Sequence, residues 1–575
     1  MPATRSETLH VTSPHVSHKC VTKTMTNFTV GDYLVLRLKQ IGAKHIFGVA
    51  GDYNMEFLDY IVNQEGIELV TTCNELNAAY TADGYGRING IAALVTTFGV
   101  GELSAINGIA GAYAEHVPVV AITGAPSTKI QSSGALVHHT LGTGDFSIFA
   151  QMYEKVTTAQ AYLTPENATA EIDRVLGACL LVKLPVYISI PMDVATSEVA
   201  PPHDSFMAPH FKSDPATLAD AVDASVRMLD KASKPVIIAD VGVDRYQLQE
   251  QLRSLLDVTG YPYATMTMGK GLIEETHPQF IGIYNGAISE DYVRRRVEEA
   301  DCVLSIGVLM TDFNTGKFSA KLDPSRTIEV HGQHLKIKGE QYNNVGMQDF
   351  LEVLSKHLKH RDTETLNLKP KKENLDAGFT TPFQPNSTGT ITQQRFWYRF
   401  AQFLKEDDIV VAETGTCLFG GAVIPIPKGT SYIGQVLWGS IGYSVGSVLG
   451  CAFAAPQRRA ILLVGDGSFQ MTAQELSTML RYDLKPIIIL FNNDGYTIER
   501  DIHGEKMPYN DIQPWNYHKL HEIFGNNGWG VKVSTEAELE SALVSSEQNR
   551  DKLTFIEVVM DKMDSPENLL KMLQK

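Results

Sequence analysis

A chain of 575 residues is too long for one hydrophobic core, so three or four domains are expected. Hydrophobic content of 43% and charged content of 20% suit a globular protein, and the net charge of −17 comes without any basic block, which argues against nucleic acid as a partner. No apolar run approaches a membrane span, and six cysteines (Cys20, Cys73, Cys179, Cys302, Cys417, Cys451) with no Cys-x-x-Cys pair fit reduced thiols in a cytoplasmic protein.

Residues 1–26 are rich in Ser, Thr, His and Val without any period and read as a disordered leader, the three histidines His10, His15 and His18 leaving a metal-binding tract as the alternative. Folding signals begin at Thr29, where Tyr33, Leu34, Leu36 and Leu38 open a helix. His45–Val49 reads as a strand that ends in Gly51-Asp52-Tyr53-Asn54. Leu69–Cys73 is a second strand, followed by Asn74-Glu75-Leu76-Asn77 and a small-residue helix (Ala78, Ala79, Ala82) suited to close packing, as against another subunit. Ala92–Thr97, Gly99-Val100-Gly101, a helix over 102–114 and Pro118–Thr123 come next. Residues 131–150 are rich in Gly, Ser and His and contain His138-His139. Strand and helix signals return over 153–190, ending in Val186–Pro191, which closes a first domain at 27–200.

The stretch 201–217, opened by Pro201-Pro202, reads as a linker. A middle domain at 218–360 carries Pro235–Asp240, a helix over Leu248–Leu256, Cys302–Ile306 and Thr327–Val330, with no Gly-x-Gly-x-x-Gly after any of these strands, so no nucleotide is expected there. A second linker over 361–390, with Lys369, Pro370, Lys371, Lys372, Pro382 and Pro385, leads to a last domain at 391–575.

The last domain holds the most informative stretch. An apolar run, Ala460–Val464, is followed by Gly465-Asp466-Gly467-Ser468, then by helical spacing (Met471, Leu476, Met479, Leu480) and a second apolar run, Pro486–Phe491. It closes with Asn492-Asn493-Asp494-Gly495-Tyr496-Thr497-Ile498-Glu499. This is the pattern of strand, glycine turn, helix and parallel strand, whose ligands sit at the carboxyl ends of the strands. Both ends carry oxygen ligands, Asp466 and Asn493, and with a carbonyl near Gly495 they could supply three positions of a Mg²⁺ octahedron, phosphate and water filling the others. Gly465 and Gly467 let the backbone approach a phosphate, and the helix that follows offers free N–H groups. Residues 92–123 repeat the same pattern, so the first and last domains read as related α/β units.

The Gly-Asp-Gly-Ser and Asn-Asn segments resemble the thiamine diphosphate fingerprint, and residues from about 27 to 570 are similar to the pyruvate and indolepyruvate decarboxylase family. The resemblance implies an α/β protein of three doubly wound parallel-sheet domains: pyrimidine-binding, middle Rossmann-like and diphosphate-binding. It implies thiamine diphosphate and Mg²⁺ as cofactors, with Glu75 on the aminopyrimidine ring, Ile441 as the wedge that bends the cofactor, and the Gly439 carbonyl accepting from its amine. Thr414, Ser440, Ser468, Tyr496, Thr497 and Ile498 join the expected cofactor contacts. Asp52, His138, His139 and Glu499 correspond to the family's proton-transfer cluster, which favours non-oxidative decarboxylation of a 2-oxo acid.

Thr414, Leu418, Ile498 and Ile502 outline the substrate pocket. Thr414 follows the pyruvate decarboxylases, whereas Leu418 is smaller than the Trp of some pyruvate specialists. Pyruvate is the first expectation, a bulkier 2-oxo acid (phenylpyruvate, indolepyruvate or branched-chain) the second, and a carboligase or a non-catalytic paralogue the remaining alternatives. Ala239-Asp240 is followed by Val241-Gly242 in place of the cysteine pair of some fungal relatives, so substrate activation through such a thiol is not expected. In the family, Asp52, Glu75 and the His pair act with metal ligands of a different chain. A homodimer or homotetramer with shared sites is therefore expected.

Overall fold

The computed structural model describes residues 27–361, 379, 381–525 and 527–573; the expected leader and nearly all of the lysine-rich part of the second linker lie outside the described residues. Three sheets organise the chain. The first has, in spatial order, Glu68–Thr71, His45–Gly48, Ala92–Thr97, Val119–Ala125, Val186–Pro191 and Ala159–Tyr162, every neighbouring pair parallel. The third has Ser431–Ile433, Ile409–Ala412, Ala460–Gly465, Ile487–Asn492, Leu553–Val559 and Gly528–Val533, again all parallel. Counted within its own domain, each sheet has strand order 2-1-3-4-6-5. The likeness between residues 92–123 and 460–491 thus extends to the whole topology of both domains.

These strands are parallel because they are apolar on both faces, which only a sheet covered by helices on each side can bury. Phe47, Leu94 and Ala121 point into one hydrophobic cluster, while Ile46, Ala93, Val95 and Ile122 point into another. The first of these clusters also takes in Leu462, Val464, Ile488 and Leu490, so the two twin sheets share one core. The middle sheet runs Glu340–Asn343, His334–Ile337, Thr327–Val330, Cys302–Ile306, Pro235–Ala239, Tyr263–Thr265, Phe280–Ile283. Its first two strands form an antiparallel hairpin turned by Lys338 and Gly339, both at positive φ (53° and 83°), the geometry that matches a two-residue turn to strand twist. The sequence signals did not single out this hairpin.

The small-residue helix Glu75–Asn89 packs against Tyr443–Ala454 of the same chain, rather than requiring another subunit. The helices meet backbone to backbone. A Cβ on Gly450 would lie 2.0 Å from the Thr81 carbonyl oxygen, and one on Gly84 would lie 2.2 Å from that of Ser447. Arg87 and Asp83 are buried in this seam: Arg87 Nε donates to Asp83 at 2.6 Å, the Tyr443 hydroxyl donates to the same carboxylate at 2.5 Å, and Arg87 also donates to the Gly434 carbonyl at 3.1 Å. Glu115 Oε2 also stands 3.6 Å from Arg87 Nη2, so two carboxylates face the one guanidinium in this seam.

Gly450→Val is expected to lower unfolding free energy by at least about 1–3 kcal/mol through overpacking of this seam. Gly177→Ala is the control, since its Cβ would meet only Pro209 at 3.7 Å. It sits inside the helix Ala168–Val182 and is expected to be neutral or to stabilise by up to about 1 kcal/mol. Denaturant titration of the two variants compares them directly.

Candidate active site

The carboxyl ends of two adjacent strands meet at Asp466 and Asn493. Gly465 pairs in register with Phe491, so the two strands stop nearly level and both following side chains turn into one space. Asp466 is 1% exposed and accepts from the backbone N–H of Gly467 at 2.8 Å and of Gly495 at 3.2 Å. One arm of the Asn493 amide faces Asp466 Oδ1 at 3.1 Å and the Gly495 carbonyl oxygen at 3.0 Å, and the other faces Thr497 Oγ1 at 2.8 Å. Without a cation, the amide nitrogen must be the inner arm, because both its neighbours are acceptors. With the oxygen turned inward, it stands 3.1 Å from Asp466 Oδ1 and 3.0 Å from the Gly495 carbonyl oxygen, about the cis spacing of an octahedral ion with bonds of about 2.1 Å. Burial pushes the Asp466 carboxyl up to about 7 despite its backbone donors. The donor set therefore fits a small hard cation. Gly467 lies directly under Tyr496, where a Cβ would be 2.5 Å from the ring, and Thr497 Oγ1 also donates to the Lys562 carbonyl at 2.9 Å.

A second group of predicted residues lies on the loop 435–442. Gly439 and Gly442 have φ of 62° and 87°, left-handed values that present Ser440 and Ile441 between them. Glu413 was not singled out as a site residue, yet it holds this loop. Its carboxylate accepts from Thr414 N (3.0 Å), Gly442 N (3.1 Å) and Ser444 Oγ (2.6 Å), and burial pushes it up to about 7. Gln435 completes the brace: its carbonyl accepts from Thr414 Oγ1 at 3.0 Å, and its side-chain oxygen accepts from Ser440 N at 2.8 Å. Thr472 Oγ1 donates to the Gly442 carbonyl at 2.7 Å, tying the loop to the helix segment that follows Asp466. A Glu directly after the apolar strand Ile409–Ala412 was the available signal for Glu413.

The rim of the first sheet gathers a third group. Glu75 opens the helix Glu75–Asn89, capped by Asn74, and its Oε1 would be 3.2 Å from a Cβ on Gly101. Thr97 stands between Glu75 and the Asp52 loop, within 3.2 Å of a Cβ on Gly101 and 2.5 Å of one on Gly51. His138 Nε2 contacts Asp52 Oδ2, and His139 Nε2 is 3.5 Å from Asp52 Oδ1. Tyr53, also outside the predicted set, stacks on His138 with ring centroids 4.9 Å apart. His139 has φ 63°, and its carbonyl oxygen lies where a Cβ on Gly99 would come within 2.0 Å; Gly99 N in turn donates to buried Glu102 at 2.8 Å. Partial burial works against ionisation of Asp52, but the hydrogen bond and charges of the two imidazoles outweigh it and hold the carboxyl below its usual range.

The remaining predicted residues are more scattered. Glu499 is exposed, Ile502 is 55% exposed, and Ile498 packs against Phe419, Leu569 and Met572. Leu418 is buried with Ala412 and Val436. Among the described residues, no hydrogen bond or ion pair joins the Asp52 cluster to the Asp466–Asn493 pair within one chain.

By comparison with known proteins the two groups fall in different domains of one family. The thiamine pyrophosphate enzyme N-terminal TPP binding domain matches residues 28–147, the central domain 222–355, and the C-terminal TPP binding domain 413–558. The chain belongs to the thiamine pyrophosphate enzyme family. It is 41% identical to the pyruvate decarboxylase of Candida glabrata, over 95% of this chain and 98% of the relative. It is likewise 42% identical to the alpha-keto-acid decarboxylase of Mycobacterium leprae, over 94% of each chain, and 40% identical to pyruvate decarboxylase isozyme 1 of Saccharomyces cerevisiae, over 95% and 98%.

The raised Asp466 carboxyl makes a sign-definite prediction. A carboxyl at about 7 in the ion-free fold, against 3.8 for an ordinary aspartate, contributes stability that is complete below 3.8 and lost as pH rises through 7. Ion-free Asp466→Asn protein is therefore expected to melt at or above the wild-type temperature at pH 8, and to lack the upshift expected of the wild type with Mg²⁺ and thiamine diphosphate. Thermal melting with and without both ligands checks it.

Proposed function

We propose that this chain catalyses non-oxidative decarboxylation of a 2-oxo acid, pyruvate first, to the aldehyde and carbon dioxide, using thiamine diphosphate and Mg²⁺ in the cytoplasm. The reading is supported by the similarity to relatives named as decarboxylases. Five described cysteines, all free, support the compartment, and no helix among the described residues is long and apolar enough to cross a membrane. When bound, thiamine diphosphate supplies the carbon nucleophile and the electron sink for loss of carbon dioxide. Asp466, Asn493 and the Gly495 carbonyl would hold Mg²⁺ on the diphosphate, with Gly465, Gly467 and Ser468 giving the backbone close access and Tyr496 and Thr497 shaping its flank. Ile441 would set the bend between the rings, and Thr414, Gly439 and Ser440 would line it. Glu75 would hold a proton at the aminopyrimidine ring.

The observation that carries decarboxylation over carboligation is the Asp52–His138–His139 cluster. A carboxylate held ionised between two imidazoles can pass protons near neutral pH, and proton delivery is the step that ends a decarboxylation in an aldehyde. Glu499 would join this relay. The printed name of the mycobacterial relative supports a wider range of 2-oxo acids as the second reading. Because the cluster and the cation ligands sit on different sheets, a homodimer or homotetramer would complete each site with residues from two chains.

With magnesium and cofactor present, pyruvate is expected to be turned over faster than phenylpyruvate, indolepyruvate or 2-oxoisovalerate. Release of carbon dioxide from none of the four would refute the reading. Glu75→Gln and His139→Asn are each expected to lower kcat by roughly 10²–10⁴-fold, the usual worth of a positioned proton-transfer group. Mixed dimers of Glu75→Gln with Asp466→Ala chains are expected to recover activity that neither parent has; verified mixed dimers that stay silent would exclude shared sites.

A further inference from the structure

We propose that Asp52, His138 and His139 also form a binding site for a borderline, nitrogen-preferring divalent cation of the Zn²⁺ class, separate from the oxygen-only site at Asp466 and Asn493. One ligand atom from each of the three side chains lies within 4.8 Å of the other two. A tetrahedral ion with bonds of about 2.0–2.1 Å needs its ligand atoms about 3.4 Å apart. His139 Nε2 and Asp52 Oδ1 already stand at 3.5 Å. His138 Nε2 touches Asp52 Oδ2, so a small opening of that contact admits the ion. Two imidazoles and one carboxylate leave a fourth position to water, and the side chains of His138 and Asp52 are 60% and 44% exposed, which gives the ion a path in and out.

The cluster is held in place around the three ligands. His138 Nδ1 is 3.4 Å from the Tyr53 hydroxyl, an outer partner of the kind that fixes the tautomer and orientation of a ligating histidine. Tyr53 stacks on the same ring, and the two histidine rings meet edge to face with centroids 4.7 Å apart. His139 is fixed by its left-handed backbone and by the close approach of Gly99 to its carbonyl. Ligand type separates this site from the other one. Imidazole nitrogen favours zinc and its neighbours over magnesium, whereas Asp466, Asn493 and Gly495 offer only oxygen.

A bound ion uses the lone pairs that would otherwise take up and release protons. Occupancy therefore blocks turnover reversibly. This consequence rests on the proton-transfer reading above; the binding itself does not.

The test is calorimetric titration of Zn²⁺ into the full-length protein with saturating Mg²⁺ and thiamine diphosphate, paired with Co²⁺ titration followed by visible absorption. One ion per chain is expected, with the bands of tetrahedral Co²⁺, and excess Mg²⁺ is expected not to displace it. His139→Asn, which tolerates the left-handed backbone, and Asp52→Asn are each expected to weaken binding by at least about ten-fold, since even an outer partner is worth that much. Melting curves of both variants confirm that they fold. Affinity unchanged in both would overturn the proposal and assign the ion elsewhere, as to the His10, His15 and His18 tract. Zn²⁺ bound at the triad in a protein that decarboxylates none of the acids tried would leave this site standing and remove the functional reading. Zn²⁺ bound there with turnover unaffected would overturn the inhibitory role.

Discussion

The arrangement depends on one unfavourable concentration of oxygen atoms. Two parallel strands end level, and the register that pairs Gly465 with Phe491 brings Asp466 and Asn493 into the same small space with the Gly495 carbonyl. A slip of one residue would turn every side chain of a strand to the other face, so the apolar alternation that buries Leu462 and Val464 on one side and Ile461 and Leu463 on the other also fixes where the ligands point. The core thus sets the site's geometry. The cost is a buried carboxyl that the ion-free fold pushes up to about 7 and an amide that must turn its nitrogen inward. A divalent cation bound there would relieve both.

Much of this could be read from the residues because parallel strands in a covered sheet announce themselves as short apolar runs. Ala92–Thr97, Val186–Pro191, Cys302–Ile306 and Thr327–Val330 fall where the sequence places them. Asp466 and Asn493 were legible for the same reason, each standing just past the end of such a run, with one residue between. The strands that escaped notice lie mostly at sheet edges or are very short. Tyr263–Thr265 and Ser431–Ile433 have three residues each, and Gly528–Val533 is an edge strand with two glycines, none of which leaves a periodic signal. The helical spacing after Ser468 also proved to be two helices, Asp466–Thr472 and Glu475–Arg481, because periodicity does not register a break of two residues.

The residues that hold others in place were the ones the sequence hid. Glu413 and Gln435 brace the loop around Ile441 through backbone contacts, and such contacts leave no spacing to recognise. Tyr53 and Gly99 do the same for the two histidines. His138 and His139 had been placed through family resemblance alone, since a histidine pair in a glycine-rich loop has no periodicity. The small-residue helix shows the opposite case. Its composition correctly foretold a close contact, but small residues say nothing about which chain supplies the partner, and here the partner is Tyr443–Ala454 of the same chain.

Comparison of the three sheets shows why one of several buried carboxyls is suited to a ligand. Asp240, Glu413 and Asp466 each directly follow a buried strand, Glu102 stands in the first turn of the helix Val100–Ala114, and burial pushes each of them up to about 7. Three of them are held by donors from at least two separate residues, side chains among them. Glu102 accepts from Gly99 N and the Tyr187 hydroxyl, Asp240 from Leu309 N and the Asn314 amide, and Glu413 from Thr414, Gly442 and Ser444. These carboxylates pin the loops around them. Asp466 differs because its Oδ1 faces the Asn493 arm, which stands equally close to a second acceptor, the Gly495 carbonyl. A buried carboxyl past a strand end is thus a loop clamp where donors surround it, and is chemically suited to a cation where further oxygens do.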